Sequence, residues 1–435
     1  MGKRGIALAW AALLGAVLLW QTLVRAARPD GIDLTSYLLS ARALAHGASP
    51  YLLATPFPYL YPATLAFLLI PLAMAPSIVA LVAWFALNAF AAVWSVRRVA
   101  LCVRPDLEQR PETVAVLLAV FFTVFFPIVQ SNLRNGQVNF IVLALCVAAA
   151  LPRQNRRQRL NACDTPDHPD LPARLFYTGA GAPPPAPQRG CRVGDPAPAR
   201  TDADAEPRLH MAASQRGRRR SHPARPAHPA LFSLAIAIKL VPLVLLPYFA
   251  FRRRWPWILQ AAVSCVVLLL VPAAVAGAKI THIYRQYTDV LFAASFAPGR
   301  DPFDFSLAGA IAAVTATPAT PALRISAAAV VVGWILQTDG RRLRHEHARP
   351  LTLYLLGIPL AAPQSEIHHL AFLLPAAAMI AAGWWWPSDQ RNRLFTMAAI
   401  AAAALYLAAT VIPLARGPLY CAMMISAGVA LMKRP

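Results

Sequence analysis

The chain reads as an all-α polytopic integral membrane protein, and three observations carry that reading. Of its 435 residues, 58% are hydrophobic and 14% charged, with a mean hydropathy of +0.49. A soluble protein carries about 25% charged residues. Long apolar runs with almost no charge recur from Ile6 to the C-terminus, each approaching the ~20 residues a spanning helix needs. Arg and Lys gather at the ends of these runs, as they do in loops that stay cytoplasmic. Only helices and closed barrels satisfy the backbone in lipid, and these runs are too long for barrel strands. The net charge of +22 therefore reports topology, and no nucleic-acid-binding module accompanies it. The six cysteines have no CxxC spacing, and no metal site is expected from them.

The first helix is expected over 6–26, with Lys3 and Arg4 holding its start in the cytoplasm. No small-residue cleavage site stands out, so it reads as a retained signal anchor. Residues 27–60 then lie outside. They begin Gly31-Ile32-Asp33-Leu34-Thr35-Ser36-Tyr37, run through Arg42 and His46, and end in an aromatic–proline patch, Pro56 to Pro62. Such aromatics suit a membrane–water interface. Residues 63–75 are apolar but short and interrupted by Pro71, which fits an interfacial or re-entrant segment, with a span as the alternative.

A span over 77–96 ends at Arg97-Arg98 in the cytoplasm. A further span, 113–129, leads out to the polar run Ser131–Asn139, and 140–151 returns. Residues 152–230 break the pattern with 14 of the 40 prolines, 14 arginines, no lysine and no isoleucine. They read as a disordered basic cytoplasmic loop between an N-terminal part, 1–151, and a C-terminal part, 231–435. A shifted reading frame in GC-rich DNA would leave the same composition, and resequencing the gene separates the two origins.

A single span over 231–251 would put Arg252-Arg253-Arg254 outside, against the charge rule. Two half-helices meeting near Lys239 and Pro242 resolve this, since proline breaks a helix. Helix 256–276 goes out to a loop, 277–306, that carries Arg300, Asp301 and Asp304. A short surface helix is expected over 307–316, and helix 323–337 returns to a basic loop with His345 and His347. Helix 350–361 leads out to Ser365-Glu366-Ile367-His368-His369, and helices 370–386, 394–414 and 418–432 complete roughly 12 crossings. Both termini fall in the cytoplasm of a multi-pass cell-membrane protein.

On this topology the outer face collects Asp33, Gln137, Lys239 and the pair His368/His369. Ionisable groups at membrane depth are functional by default. Each also has a plainer reading: Asp33 as a helix cap, Gln137 as a helix N-terminal residue, Lys239 as a headgroup-seeking cation, the histidines as interfacial. Together they suit one chemistry. A carboxylate takes a proton from a hydroxyl, a cation holds a phosphate, and histidine orients substrate. Transfer of a sugar from a lipid-phosphate donor to an acceptor outside the membrane uses all three. No P-loop or GxGxxG motif points to nucleotide-driven chemistry.

At these residues the sequence resembles glycosyltransferase family 87. Asp33 precedes Tyr37 by four residues, a helix ends in Gly47-x-x-Pro50-Tyr51, and Tyr61-Pro62 follows. Then come Gly136-Gln137-x-Asn139, Lys239-x-x-Pro242, and Ser365 leading to His368-His369. The late loop has Glu366 where the pattern favours an aromatic residue, and 152–230 is an atypical insertion. The resemblance implies a GT-C-like bundle of roughly 10–13 transmembrane helices. It implies a hexosyltransferase, mannosyltransferase-like, that uses a polyprenyl-phosphate sugar and a glycolipid or glycan acceptor. Asp33 would be the catalytic base, with inversion. Lys239, His368, His369, Gln137, Tyr37 and Arg42 are the residues expected to bind donor phosphate or acceptor. No cofactor is expected beyond the lipid-linked sugar itself. The rival classes are a transporter or lipid flippase, and a non-catalytic membrane subunit. A transporter predicts charge deep in helices and an internal repeat. A subunit predicts that Asp33 lies away from any cavity.

Overall fold

The computed structural model describes residues 2–55, 57–151, 228–296, 304–343, 346–384, 393–412 and 415–432. All regular elements among them are helices. Residues 152–227 of the expected cytoplasmic loop lie outside the described residues, as do Arg300, Asp301 and His345.

Five helical runs are long and apolar enough to cross a membrane: Lys3–Ala26, Ser77–Val103, Trp255–Phe296, Pro321–Arg341 and Arg393–Val411. A sixth is a bent pair, Pro111–Val124 and Phe126–Arg134, which turn by 77°. Apolar side chains stay exposed along these outer helices; Leu259, Val263, Val266 and Val267 are each more than half exposed on one of them. Contiguous apolar surface of that kind faces lipid in a membrane protein.

Five shorter apolar helices fill the bundle: Asn139–Ala150, Pro229–Ile238, Val241–Phe251, Ala348–Ala361 and Ile367–Gly383. At 1.5 Å per residue most of them are shorter than a ~30 Å hydrocarbon core. They are buried instead by their neighbours, and every residue of Pro350–Leu360 is buried. Half-length helices bring polar chain ends to mid-depth, where cavities can form.

Several boundaries depart from the sequence expectation. The helix expected over 77–96 runs on through Arg97 and Arg98 to Val103. The span expected over 113–129 breaks after Val124, with Pro127 in the first turn of the next helix. The 277–306 stretch, expected as a loop, carries the helix Ile280–Phe296. Its buried Ile280, Ile283 and Tyr287 recur at helical spacing. Tyr284 Oη donates to the Leu269 carbonyl, 2.6 Å away, which folds this helix back on the end of the one before it.

The break at Lys239 lies where the charge argument puts it. Helix Pro229–Ile238 ends there, Lys239 is extended at φ −152° and ψ 128°, and a 3₁₀ turn, Val241–Leu245, leads into Leu246–Phe251. At the far end of that hairpin Arg252 meets the fully buried Asp339 through two hydrogen bonds of 3.0 and 3.1 Å. The guanidinium lies over the Tyr248 ring, 3.9 Å from its centre. A buried ion pair of this kind costs about 3–5 kcal/mol when one partner is removed, so it fixes where the hairpin returns.

The segment after the first helix forms the opposite cap. Helix Asp33–Ala45 begins at the residue singled out from sequence, with the Ile32 N–H donating to Thr35 Oγ1 at 3.2 Å. An acidic first-turn residue suits a helix N-terminus. Beneath it Tyr37 packs edge-on against Tyr59, Tyr61 and Trp84, and Tyr59 tilts against Tyr61, with ring centres 4.9–6.3 Å apart. Residues 63–75 form two short helices, Ala63–Leu68 and Ile70–Ala73.

Candidate active site

Asp33 enters the site because two turns meet. The helix Phe126–Arg134 ends at Asn135, whose carbonyl accepts the Asp33 N–H at 3.0 Å. Gly136 then takes φ +67°, and Trp84 Nε1 donates to its carbonyl at 2.8 Å. A Cβ at Gly136 would lie 2.8 Å from Leu34 Cβ. Glycine is needed here both for the backbone angle and for the close approach to Asp33's own helix.

That approach puts Gln137 against the carboxylate. Its Nε2 donates to Asp33 Oδ2 at 2.7 Å. Its Oε1 accepts from Tyr61 Oη at 3.2 Å, and Tyr37 Oη donates to Tyr61 Oη at 2.8 Å. The amide is therefore oriented by tyrosines behind it, with its donor end facing Asp33. Burial is the main influence on the Asp33 carboxyl and raises its pKa to about 7. The neighbouring Glu366 carboxylate pushes it further up, while the Gln137 hydrogen bond and the Lys239 charge pull it down.

A second network lies beside the first. Lys239 Nζ is 2.8 Å from Asn139 Oδ1, 3.2 Å from His369 Nε2 and 5.5 Å from the centre of the Tyr61 ring. Asn139 and Asn132 both donate to the His368 carbonyl, at 3.1 and 3.0 Å. The Glu366 N–H donates to His369 Nδ1 at 3.2 Å, and His368 Nδ1 lies 3.4 Å from Glu366 Oε2. The whole His-pair loop is tied down by buried Asp304. Its Oδ1 accepts from the N–H groups of Ser306 and Ser365, at 3.0 and 2.9 Å.

One cavity of about 1100 Å³ runs along both networks. Asp33, Gln137, Lys239, His368 and His369 all line it. These five are distant in sequence and the fold brings them together. Tyr37 does not line it; it is buried one layer back, hydrogen-bonded to Tyr61 and Gln137. Arg42 does not line it either. It is on the exposed side of its helix, and its Nε donates to the Ala73 carbonyl at 2.9 Å. Its part is to tie that helix to the turn at residue 73, and the ligand role expected of it has no geometry behind it. The sequence gives no role to Trp84, Asn132, Asp304 or Glu366, although Asn132 stands in the polar run that supplied Gln137 and the last two lie in the expected outer loops. Among the described residues no cluster of His, Cys, Asp and Glu has metal-binding geometry.

The family model of glycosyltransferase family 87 matches residues 59–163 and 209–363, together more than half of the chain. The chain belongs to glycosyltransferase family 87. No curated protein and no solved structure matches it. The matched stretches of the transferase include Gln137 and Lys239 and stop short of Asp33 and of the His pair. Those residues join the site through the fold. The match also skips 164–208, most of the atypical insertion. Membership makes the protein a membrane glycosyltransferase and sets aside the transporter and non-catalytic readings.

Proposed function

We propose that this transferase moves a hexose, mannose by the family resemblance, from a polyprenyl-phosphate donor to a hydroxyl of a cell-envelope glycolipid or glycan. The reaction takes place in a GT-C-like bundle at the outer face of the cell membrane, with both termini in the cytoplasm. Asp33 is the general base. It takes the proton of the acceptor hydroxyl as that oxygen bonds to the anomeric carbon. The bond from that carbon to the phosphate oxygen breaks on the opposite face, and the polyprenyl phosphate leaves with the electron pair. The configuration inverts, and the lipid-linked sugar is the only co-substrate needed.

The observation that carries this reading is the Asp33 carboxyl itself. It lines the large cavity, is held by Gln137 at 2.7 Å, and has a pKa raised to about 7. A base works best with its pKa near the operating pH. Gln137, oriented through Tyr61 and Tyr37, keeps one carboxylate oxygen engaged so that the group does not swing. Lys239 and the two histidines extend the polar wall along which a sugar would lie.

The test uses the full-length protein in membranes supplied with polyprenyl-phosphate-mannose and a glycolipid acceptor. Asp33→Asn keeps the shape and removes the base. Transfer should fall by roughly 10²–10⁴-fold. Undiminished transfer would remove Asp33 from the role.

A further inference from the structure

The leaving phosphate needs a cation, and the residue that sequence offered for it is already engaged. Lys239 Nζ contacts Asn139 Oδ1 and His369 Nε2. His369 Nδ1 accepts the Glu366 N–H, which leaves that ring's proton on Nε2, facing Nζ. Nζ is therefore occupied by two protein partners, and Lys239 is not held free for a phosphate. Three arginines line the cavity besides: Arg25, Arg134 and Arg416. Arg25 is paired with Asp30 at 2.7 Å. Among the described residues no side-chain hydrogen bond or ion pair falls to Arg134 or Arg416.

The two differ in place. Arg134 precedes Asn135, whose carbonyl holds the Asp33 N–H, so it sits on the base's own side. Arg416 comes from helix Arg416–Leu431, which packs on 307–315, 348–361, 374–384 and 393–411. Asp33's helix packs on Ala63–Leu68 and Ile70–Ala73 instead. One turn beyond Arg416, Tyr420 also lines the cavity and is held between Phe305 and Tyr406, with ring centres 4.9 and 6.1 Å away. That aromatic stack fixes the helix from which Arg416 reaches. Inversion requires the base and the leaving group on opposite faces of the anomeric carbon.

We propose that Arg416 binds the phosphate of the lipid-linked donor, its guanidinium taking two phosphate oxygens side by side. Guanidinium is suited to that paired contact and stays charged when desolvated. The assignment rests on the donor chemistry proposed for Asp33.

The experiment measures inhibition of the full-length enzyme in detergent by polyprenyl monophosphate, and by free polyprenol, for the wild type and for Arg416→Gln, Arg416→Lys and Arg134→Gln. Losing a two-pronged charged contact raises the monophosphate inhibition constant and the donor KM roughly tenfold to hundredfold in Arg416→Gln. The acceptor KM and inhibition by polyprenol stay as they are. Arg416→Lys keeps the charge without the fork and gives a smaller rise; it carries the test if Arg416→Gln does not elute as a folded protein. An unchanged monophosphate constant in both Arg416 variants overturns the proposal. So does an equal loss for polyprenol, or a rise confined to Arg134→Gln. If the wild type transfers nothing from a polyprenyl-phosphate sugar, the functional reading fails by itself. Direct binding of polyprenyl monophosphate, read by tryptophan fluorescence, then decides the Arg416 assignment, and equal affinity in wild type and variant would sink it.

Discussion

Opposed influences act on Asp33, and their balance sets when it can work. Burial and the Glu366 carboxylate favour the protonated form, while Gln137 and Lys239 favour the carboxylate. Only the carboxylate accepts a proton. Transfer should therefore be weak at pH 5 to 6, rise through about pH 7, and level off above it. Glu366 offers a way to test the cause. Replacing it by Gln removes a negative neighbour, so the Asp33 pKa falls and the acid limb of kcat/KM moves to lower pH. A limb that stays in place, or moves up, would mean that Glu366 does not act on Asp33 through its charge. Since Glu366 also lies 3.4 Å from His368, the profile and not the rate at one pH is the informative measurement.

Among the secondary-structure elements, the turn Asn135–Asn139 does most to assemble the site. It holds the start of one helix through Asn135, presents Gln137 to Asp33, and begins another helix at Asn139, which holds Lys239 and the His-pair loop. All of this depends on Gly136 at φ +67°, packed against Leu34. Gly136→Ala should cost about 1–3 kcal/mol for the backbone angle, with the clash adding to it. Gly47 gives the comparison, since it too has positive φ (+71°) but nothing within 4 Å of an added Cβ. Gly47→Ala should lose only the strain and keep its transfer rate, while Gly136→Ala loses both stability and rate. Thermal unfolding and transfer assays on the two variants check this. Equal losses would mean that the close approach to Leu34 contributes nothing. This element also shows what a sequence can display. Asp33, Gln137, Lys239 and the histidines were legible because polar groups are scarce beside apolar runs, and each one stands out. The helix Ile280–Phe296 was hidden because its buried Ile280, Ile283 and Tyr287 follow Lys279 and are interleaved with His282 and Arg285, which read as loop. Arg42 lies away from the cavity, since spacing alone does not say which side of a helix meets it. Arg416 stood at the end of an apolar run, where a cation reads as a topology signal.

At the scale of the whole molecule, the fold separates two chemistries at its ends. One end holds the cavity with Asp33 and the His pair. The other holds the buried pair Arg252–Asp339 and the basic turn at Arg341. The hairpin that breaks at Lys239 connects them, because Lys239 reaches the cavity while Arg252 returns to the basic end. Cytoplasmic loops carry the excess of Lys and Arg, and on the topology proposed above the basic end is inside and the cavity opens outside. On that proposal a lipid-linked sugar in the outer leaflet reaches Asp33 without crossing the bilayer. The arrangement can be tested with single cysteines in a background lacking the six native ones. Ala48 is exposed just after the helix that begins at Asp33, and Arg341 is exposed at the basic end. In intact cells a membrane-impermeant maleimide should label Ala48→Cys and leave Arg341→Cys unmodified until the cells are opened. The reverse pattern would put Asp33 on the cytoplasmic side, where a soluble nucleotide sugar would be the natural donor and the need for a lipid phosphate would disappear. Labelling at one site and not the other thus decides the donor's compartment before any substrate is in hand.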